Sequence, residues 1–368
     1  MAVINVGATV IGINQKRYIM NSGENLKRAI RFDTPEWIPM EFHINGSCWN
    51  HYPHDALQEL MVEHKLLFPG YEAVEKVEPH FSPVQLKDYP YTDGWGCVWE
   101  TLEDGITGSV HQHPLADWNS LESYVLPDPE FSNGLTAVDW EKEAIRLQKA
   151  KEGGGLAMGI LRHGHTFLQL VDIRGYENLM FDMVDEDPRL DRLIAMIEEF
   201  NLELVNRYIE IGADFIAYPE DLGMQIGPML SPDHFRKYIK PSYQRIMQPA
   251  RDNGLLIHMH SDGDIRDLVD DIIEGGVEAI NLQDLVNGID WIADKFAGKV
   301  CIDLDIDRQD ITPHGTPQEV DALIREEVEK LSTKQGGLTM IYGLYPGVPL
   351  ENVKALMDAM ERYAGRWS

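Results

Sequence analysis

The sequence predicts an α/β protein folded as one (β/α)8 TIM barrel. Eight short apolar runs alternate with segments of helical period along most of the chain. The stretch Leu255 to Asp264, LLIHMHSDGD, has the make-up of a buried strand, a tight Gly turn and a helix start, which are the parts of a βα unit. The length of 368 residues suits a single barrel as well as it suits two domains, and no linker rich in Pro, Gly or Ser divides it.

In chain order, residues 1–23 are weakly patterned and are expected to form an N-terminal arm, leaving 24–368 as the barrel. A short helix over NLKRAIRF is stopped by Thr34–Pro35, and Trp37 to Phe42 reads as the first buried strand, with Glu41 and His43 at its end. Helical spacing over 54–67 leads to a second strand at Ala73 to Val77. Residues 88–113 differ in texture: Tyr89, Tyr91, Trp95, Val98 and Trp99 among Gly94, Gly96, Gly105 and Gly108 predict a β-hairpin insertion. A helix from Val138 to Lys151 precedes the third strand, Leu156 to Ile160.

From there the alternation is regular. Helical patterns at 166–183 and 188–210 precede the fourth strand, Asp214 to Tyr218, and one at 231–252 precedes the fifth, Leu255 to His260. A helix at 264–274 leads to Ala279–Leu282, and another near 288–297 leads to Val300–Leu304. A helix at 317–332 then precedes Leu338–Tyr342, the eighth strand, and the last helix runs from Leu350 to Tyr363. An open doubly wound sheet is the alternative, but no G-x-G-x-x-G and no P-loop follows any strand, so nothing supports a nucleotide site.

The net charge of −29, from 32 basic and 61 acidic residues, argues against nucleic acid and anionic membrane surfaces as partners. It also weighs against a heavily anionic substrate. Cys48, Cys97 and Cys301 are odd in number and lack C-x-x-C spacing, so the expectation is a reduced, cytoplasmic chain without a disulfide framework. The opening MAVINVGATVIGI has neither a basic start nor a cleavage site, and no run reaches the ~20 apolar residues of a membrane span.

In such a barrel, chemistry is placed at the C-terminal strand ends. Those ends gather Glu41 and His43; Arg162, His163 and His165; Glu220 and Asp221; His258, His260 and Asp262; Gln283 and Asp284; Asp303, Asp305 and Asp307; Tyr342 and Tyr345. The set is rich in nitrogen and oxygen ligands and nearly free of thiols, which suits Zn²⁺ or another divalent metal with one open position. Bland readings stand beside this one. His258 and His260, two apart on a strand, share a face whether or not either is a ligand. Glu220–Asp221 reads equally as the cap of a turn, and Trp95 reads as packing or as the wall of an aromatic pocket. The acids 303, 305 and 307 would cost several kcal/mol if desolvated and unpaired, so at least the last should meet a cation or donor.

Several segments together resemble the uroporphyrinogen decarboxylase superfamily, which includes cobalamin-dependent methyltransferases. They are NLKRAIRFDTPEWIPM from Asn25, YTDGWG from Tyr91, DPRL from Asp187, GADFI from Gly212 with EDLG from Glu220, HSDGD from His260, the strand end at Asp307 with GTPQEV from Gly315, and PLENV from Pro349. The resemblance implies the same barrel, and a possible homodimer, since the family often pairs its barrels. Haem-pathway decarboxylases carry an Arg-rich segment after the first strand to grip an octacarboxylate, whereas Met40 to Gly46 here has no Arg.

The methyltransferase branch holds zinc with an H-x-C-G element and a later Cys. His260 matches its His and Gly263 its Gly, while Asp262 stands at the first Cys and Tyr342 near the second. An oxygen-rich site is a harder Lewis acid, suited to an ether or phenolate oxygen rather than to a thiol. The resemblance therefore implies demethylation of a small methoxylated, aromatic compound, with the methyl passing to cobalamin on a separate corrinoid carrier protein. On that reading His260, Glu220 and Asp262 hold the metal, and Asp307, His258 and Tyr342 are catalytic. His43, Trp95 and Glu41 then contact substrate. A metal-independent decarboxylase or lyase is the first alternative, and a non-catalytic tetrapyrrole or corrinoid binder the second.

Overall fold

The computed structural model describes residues 22–367, so most of the arm expected over residues 1–23 lies outside the described residues. Seven strands make one parallel sheet: β1 Met40–Ile44, β2 Met158–Ile160, β3 Phe215–Asp221, β4 Leu256–Asp262, β5 Ala279–Gln283, β6 Cys301–Asp305 and β7 Leu338–Leu344. Their order across the sheet is β1-β7-β6-β5-β4-β3-β2. Chain neighbours are thus sheet neighbours from β2 to β7, and β1 closes onto β7, which is a barrel-like wrap with helices outside. The sheet curls enough for Phe215, Ala217, Leu256, Ala279 and Cys301, from four strands, to bury together against Ile30 of the helix Ser22–Ile30.

Three expectations are corrected. Residues 73–77 form no strand, and Ala73 and Val74 are exposed. Glu72, Glu75, Lys76 and Glu78 break the apolar run, so it cannot bury both faces as a strand of a parallel sheet must. Within 88–113, Tyr91–Thr92, Val98–Glu100 and Ser109–Gln112 form a three-stranded antiparallel sheet instead of a single hairpin. The helical pattern at 166–183 also divides, into Phe167–Arg174 and Tyr176–Asp185, because Gly175 at φ 84° interrupts it. Among the described residues no helix is long and apolar enough to cross a membrane.

The pleat sorts side chains into two sets. On β4, Ile257, Met259 and Ser261 are fully buried toward the helices, while Leu256, His258, His260 and Asp262 face the enclosed side. The outward set of all strands joins the main apolar core, including Ile216, Tyr218, Ile280, Leu282, Ile302, Leu304, Met340 and Tyr342. The inward set is apolar only at the lower end.

One buried pair outside the sheet ties stability to pH. Glu327, on the helix Pro317–Leu331, is fully buried, and neither of its oxygens meets a donor. It faces Asp284, whose oxygens accept the backbone N–H groups of Leu285 and Asp307. Asp284 is therefore the ionised partner and Glu327 carries the proton between them. Burial first, and the charge of Asp284 next, push the Glu327 carboxyl well above its ordinary value. A group with a raised folded pKa contributes stability below its unfolded pKa and loses it as pH rises toward the folded value, at up to about 1.4 kcal/mol per pH unit. Glu327→Gln keeps the donor without the titration. Urea denaturation should show the variant gaining on the wild type steadily from pH 5 to pH 8, and a pH-independent difference contradicts the assignment.

Candidate active site

The enclosed face at the carboxyl ends of the strands is polar and layered by register. Asn281 on β5 is aligned with His260 on β4 and with Asp303 on β6, and Asp303 is aligned with Thr339 on β7. One step nearer the strand ends, Asp221 on β3 is aligned with Asp262, and Gln283 with Asp305. Parallel register places each of these groups within reach of its neighbour, although they lie far apart in the chain.

The lower layer is a connected hydrogen-bond network. Asp303 accepts from Thr339 Oγ1 at 2.6 Å, from His258 Nε2 at 2.9 Å and from Asn281 Nδ2 at 3.2 Å. Burial pushes the Asp303 carboxyl up, but His258 and Thr339 outweigh it and hold it below the usual carboxylate range. The Asn281 amide oxygen accepts from His260 Nδ1. His258 Nδ1 has no partner among the described residues.

Above this layer, His260 Nε2 lies 3.5 Å from Asp221 Oδ1 and 3.7 Å from Asp262 Oδ1. His163 Nε2 reaches Asp221 Oδ1 at 3.2 Å, and the rings of His163 and His260 are 5.4 Å apart. Burial works against a charge on His260, but Asp221, Asp262 and Asn281 together hold its pKa up at about 9. The pocket is built to hold positive charge.

On the other side of His260, Arg308 Nη2 donates to Asp262 Oδ1 at 3.2 Å and to Asp305 Oδ2 at 2.7 Å, with its guanidinium over Tyr345. Burial raises the Asp305 carboxyl to about 7 against the pull of Arg308, with Asp262 adding to the rise. The strand-end loops carry their own supports. Gly263, at φ 81°, lies so close to Gly223 that a Cβ would come 2.2 Å from its carbonyl carbon, which packs the turn after β4 onto the loop after β3.

His163 is presented by the turn between β2 and the helix Phe167–Arg174. Arg162 is buried there: Nη2 binds Asp172 at 2.6 Å, Nη1 binds Gln169, and Nε binds the His163 carbonyl at 3.0 Å. Glu220 secures the same turn from beneath. Its carboxylate accepts the N–H groups of Thr166 at 3.0 Å, Phe167 at 2.8 Å and Leu168 at 3.1 Å, and the Tyr243 hydroxyl at 3.0 Å. This is an anion on a helix N-terminus.

The structure thus brings together His260, Asp262 and His258 from the expected set and separates others. Glu220 points to the outer side of β3, with its oxygens spent on the helix, and is no ligand beside His260. Asp307 is buried but accepts the backbone N–H groups of Gln309, Asp310 and Thr312, so it stabilises its own turn. Tyr342 faces outward against Phe42 and donates to Thr312 Oγ1. Trp95 is 1% exposed, with its ring edge against Phe200, and packs the core. Glu41 and His43 do face inward on β1, are solvent-exposed, and bond to each other at 3.2 Å.

Asp221, His163, Asp303 and Asp305 stood among the strand-end candidates, but Asn281 and Arg308 carry roles no spacing announced. The alternation Phe215, Ala217, Pro219, Asp221 was the available signal that Asp221 and not Glu220 faces inward. The three cysteines are buried, with Cys301 on the apolar lower face and Cys48 and Cys97 in the main core, so among the described residues no thiol lines the site. Nitrogen and oxygen donors at these separations fit a first-row divalent ion.

A family described as uroporphyrinogen decarboxylase (URO-D) matches residues 94–363. The methylcobamide:CoM methyltransferase MtaA of Methanosarcina barkeri is 23% identical over 229 residues, which cover 60% of this chain and 62% of that protein. A uroporphyrinogen decarboxylase of Thermus thermophilus is 25% identical over 188 residues, covering 50% of this chain and 51% of the relative. The chain therefore spans between half and two thirds of these two curated relatives. A solved structure of a methyltransferase from Methanosarcina mazei covers 94% of this chain and 99% of its own with a TM-score of 0.64 at 19% identity, which shows a shared fold.

Proposed function

The chain belongs to the uroporphyrinogen decarboxylase family, and from that premise we propose that it moves a methyl group from a small methoxylated, aromatic compound to cob(I)alamin on a separate corrinoid carrier. The observation that carries this reading is the convergence of His163, Asp221, His260, Asp262 and Asp305 at the strand ends with no thiol among them. Imidazole and carboxylate ligands favour an oxygen donor over a sulfur one. A divalent ion bound at His260 supplies Lewis acidity toward the ether oxygen.

The remaining work falls to side chains of the chain itself. Asp305, inward and buried beside Arg308, holds the proton that the departing oxygen needs. As the O–CH3 bond breaks, its electron pair stays on oxygen, and the Asp305 proton converts that oxygen to a hydroxyl. Arg308 keeps Asp305 pointed into the mouth. The His258–Asp303 pair forms the floor of the polar layer and fixes the height at which the donor rests. His43 and Glu41, exposed on the inner side of β1, border the entrance.

Decarboxylation is the second reading, favoured by the Thermus relative. The charge pattern argues against a polycarboxylate substrate: the inward acids outnumber Arg308, which is already bonded to two of them.

Incubating the protein with cob(I)alamin and a panel of methoxyaromatic donors should produce the methylcobalamin spectrum. Asp305→Asn should lower the rate on the order of 10²-fold, and least for donors whose demethylated phenol is most acidic. A perturbed corrinoid spectrum without methyl transfer would identify a binder, and carbon dioxide released from an acidic substrate without metal would identify a lyase.

A further inference from the structure

Two groups of ligand atoms meet at His260, each with its atoms within 4.8 Å of one another: His163–Asp221–His260 and His260–Asp262–Asp305. They are not equivalent. The second already holds a cation, because Arg308 Nη2 spans Asp262 and Asp305 at 3.2 and 2.7 Å. A guanidinium does not deprotonate in proteins, so an ion there would have to displace a permanent charge and leave it buried.

The first group holds no Lys or Arg. The ion-pair partners of Asp221 are two imidazoles, His163 at 3.2 Å and His260 at 3.5 Å, and an imidazole can exchange its proton for a metal. Ligand atoms on a tetrahedral ion with bonds of ~2.0–2.1 Å stand about 3.3 Å apart, which lies between those two separations.

Orientation points the same way. Asn281 Oδ1 takes the His260 Nδ1 proton, so Nε2 is the nitrogen turned toward Asp221. Asn281 is itself fixed through Nδ2 on the carbonyl and carboxylate of Asp303. A metal-bound histidine commonly has its other nitrogen tied in this way. His163 has a comparable backing, since Arg162 grips its carbonyl and Glu220 anchors the helix that follows its turn.

We propose that His163 Nε2, an Asp221 oxygen and His260 Nε2 form a two-histidine, one-carboxylate site for a first-row divalent transition ion, with Asn281 as its positioning residue. Arg308 keeps Asp262 and Asp305 out of the coordination shell and free for substrate. The proposal rests on the reading above that an ion serves this site, and it replaces the ligand set expected from sequence.

The test is titration of Co(II) into the metal-stripped full chain, followed by its visible absorption and by calorimetry. Wild type should bind one equivalent. His163→Ala and Asp221→Asn should each weaken binding by at least about tenfold, Asn281→Ala by roughly 10- to 100-fold, and Asp262→Asn by less than about threefold. Thermal melting of the stripped variants separates lost ligation from lost folding. Pulsed EPR of the Cu(II)-loaded wild type gives a count independent of any variant: two coordinated imidazoles are expected, and one overturns the proposal. Loss of Co(II) in Asp262→Asn with retention in His163→Ala also overturns it while leaving the Lewis-acid reading standing. Failure of wild type to bind Co(II) or Zn²⁺ at all sinks both.

Discussion

His260→Ala is expected to lower methyl transfer to cob(I)alamin by roughly 10³-fold, a rise of about 4 kcal/mol in the barrier. The size follows from position. His260 is the one side chain shared by both groups of ligand atoms, and it ties them to the layer beneath through Asn281. Its removal takes away the proposed ligand nitrogen, leaves Asp221 and Asp262 facing each other with less positive charge between them, and leaves the Asn281 amide oxygen without its donor. The drop should appear in initial rates at saturating donor, since the group acts on the breaking bond more than on donor affinity. A variant that stays folded and transfers within fivefold of wild type would remove His260 from the chemistry.

Glu220→Ala should act on stability instead. Three backbone N–H groups and the Tyr243 hydroxyl would lose their acceptor inside a fully buried pocket. Orphaned buried donors cost about 1–3 kcal/mol each, with partial relaxation between neighbours, so a loss of roughly 3–5 kcal/mol is expected in urea denaturation. Glu220→Gln, which keeps one acceptor oxygen, should lose about half as much. Burial alone pushes the Glu220 carboxyl up, and the four donors oppose that rise. A destabilisation below about 1 kcal/mol would mean that water replaces the carboxylate. The same variant should loosen the turn that presents His163 even where the protein still folds.

Fold and site differ in how far they can be read from the chain. Val300 to Leu304 and Ala279 to Leu282 are apolar runs of strand length between helical periods, and the structure places β6 and β5 there with boundaries moved by one residue. The acidic run at 72–78 misled because Ala73, Val74 and Val77 suggest a short apolar run of β-forming residues while its charges forbid burial. In the site, His260 and Asp262 were legible because they end an apolar strand on one parity. The parity of Glu220 against Asp221 was equally available but was hidden by their adjacency, since neighbouring acids invite the same role. Asn281 and Arg308 were illegible for another reason. His260 lies 21 residues from Asn281 and Asp262 lies 46 from Arg308. Although Asp305 is only three residues from Arg308, the parallel register and the turn after β6 are needed to complete both sets of contacts.

The apolar cluster of Phe215, Ala217, Leu256, Ala279 and Cys301 under Ile30 has a kinetic meaning. It fills the lower end of the inner face with hydrocarbon, which directs polar traffic to the strand-end opening. In the proposed reaction the donor, the demethylated product and the bulky carrier would share that doorway. Such a vessel favours an obligatory sequence, in which the donor enters before the carrier docks and the product departs after the carrier lifts away.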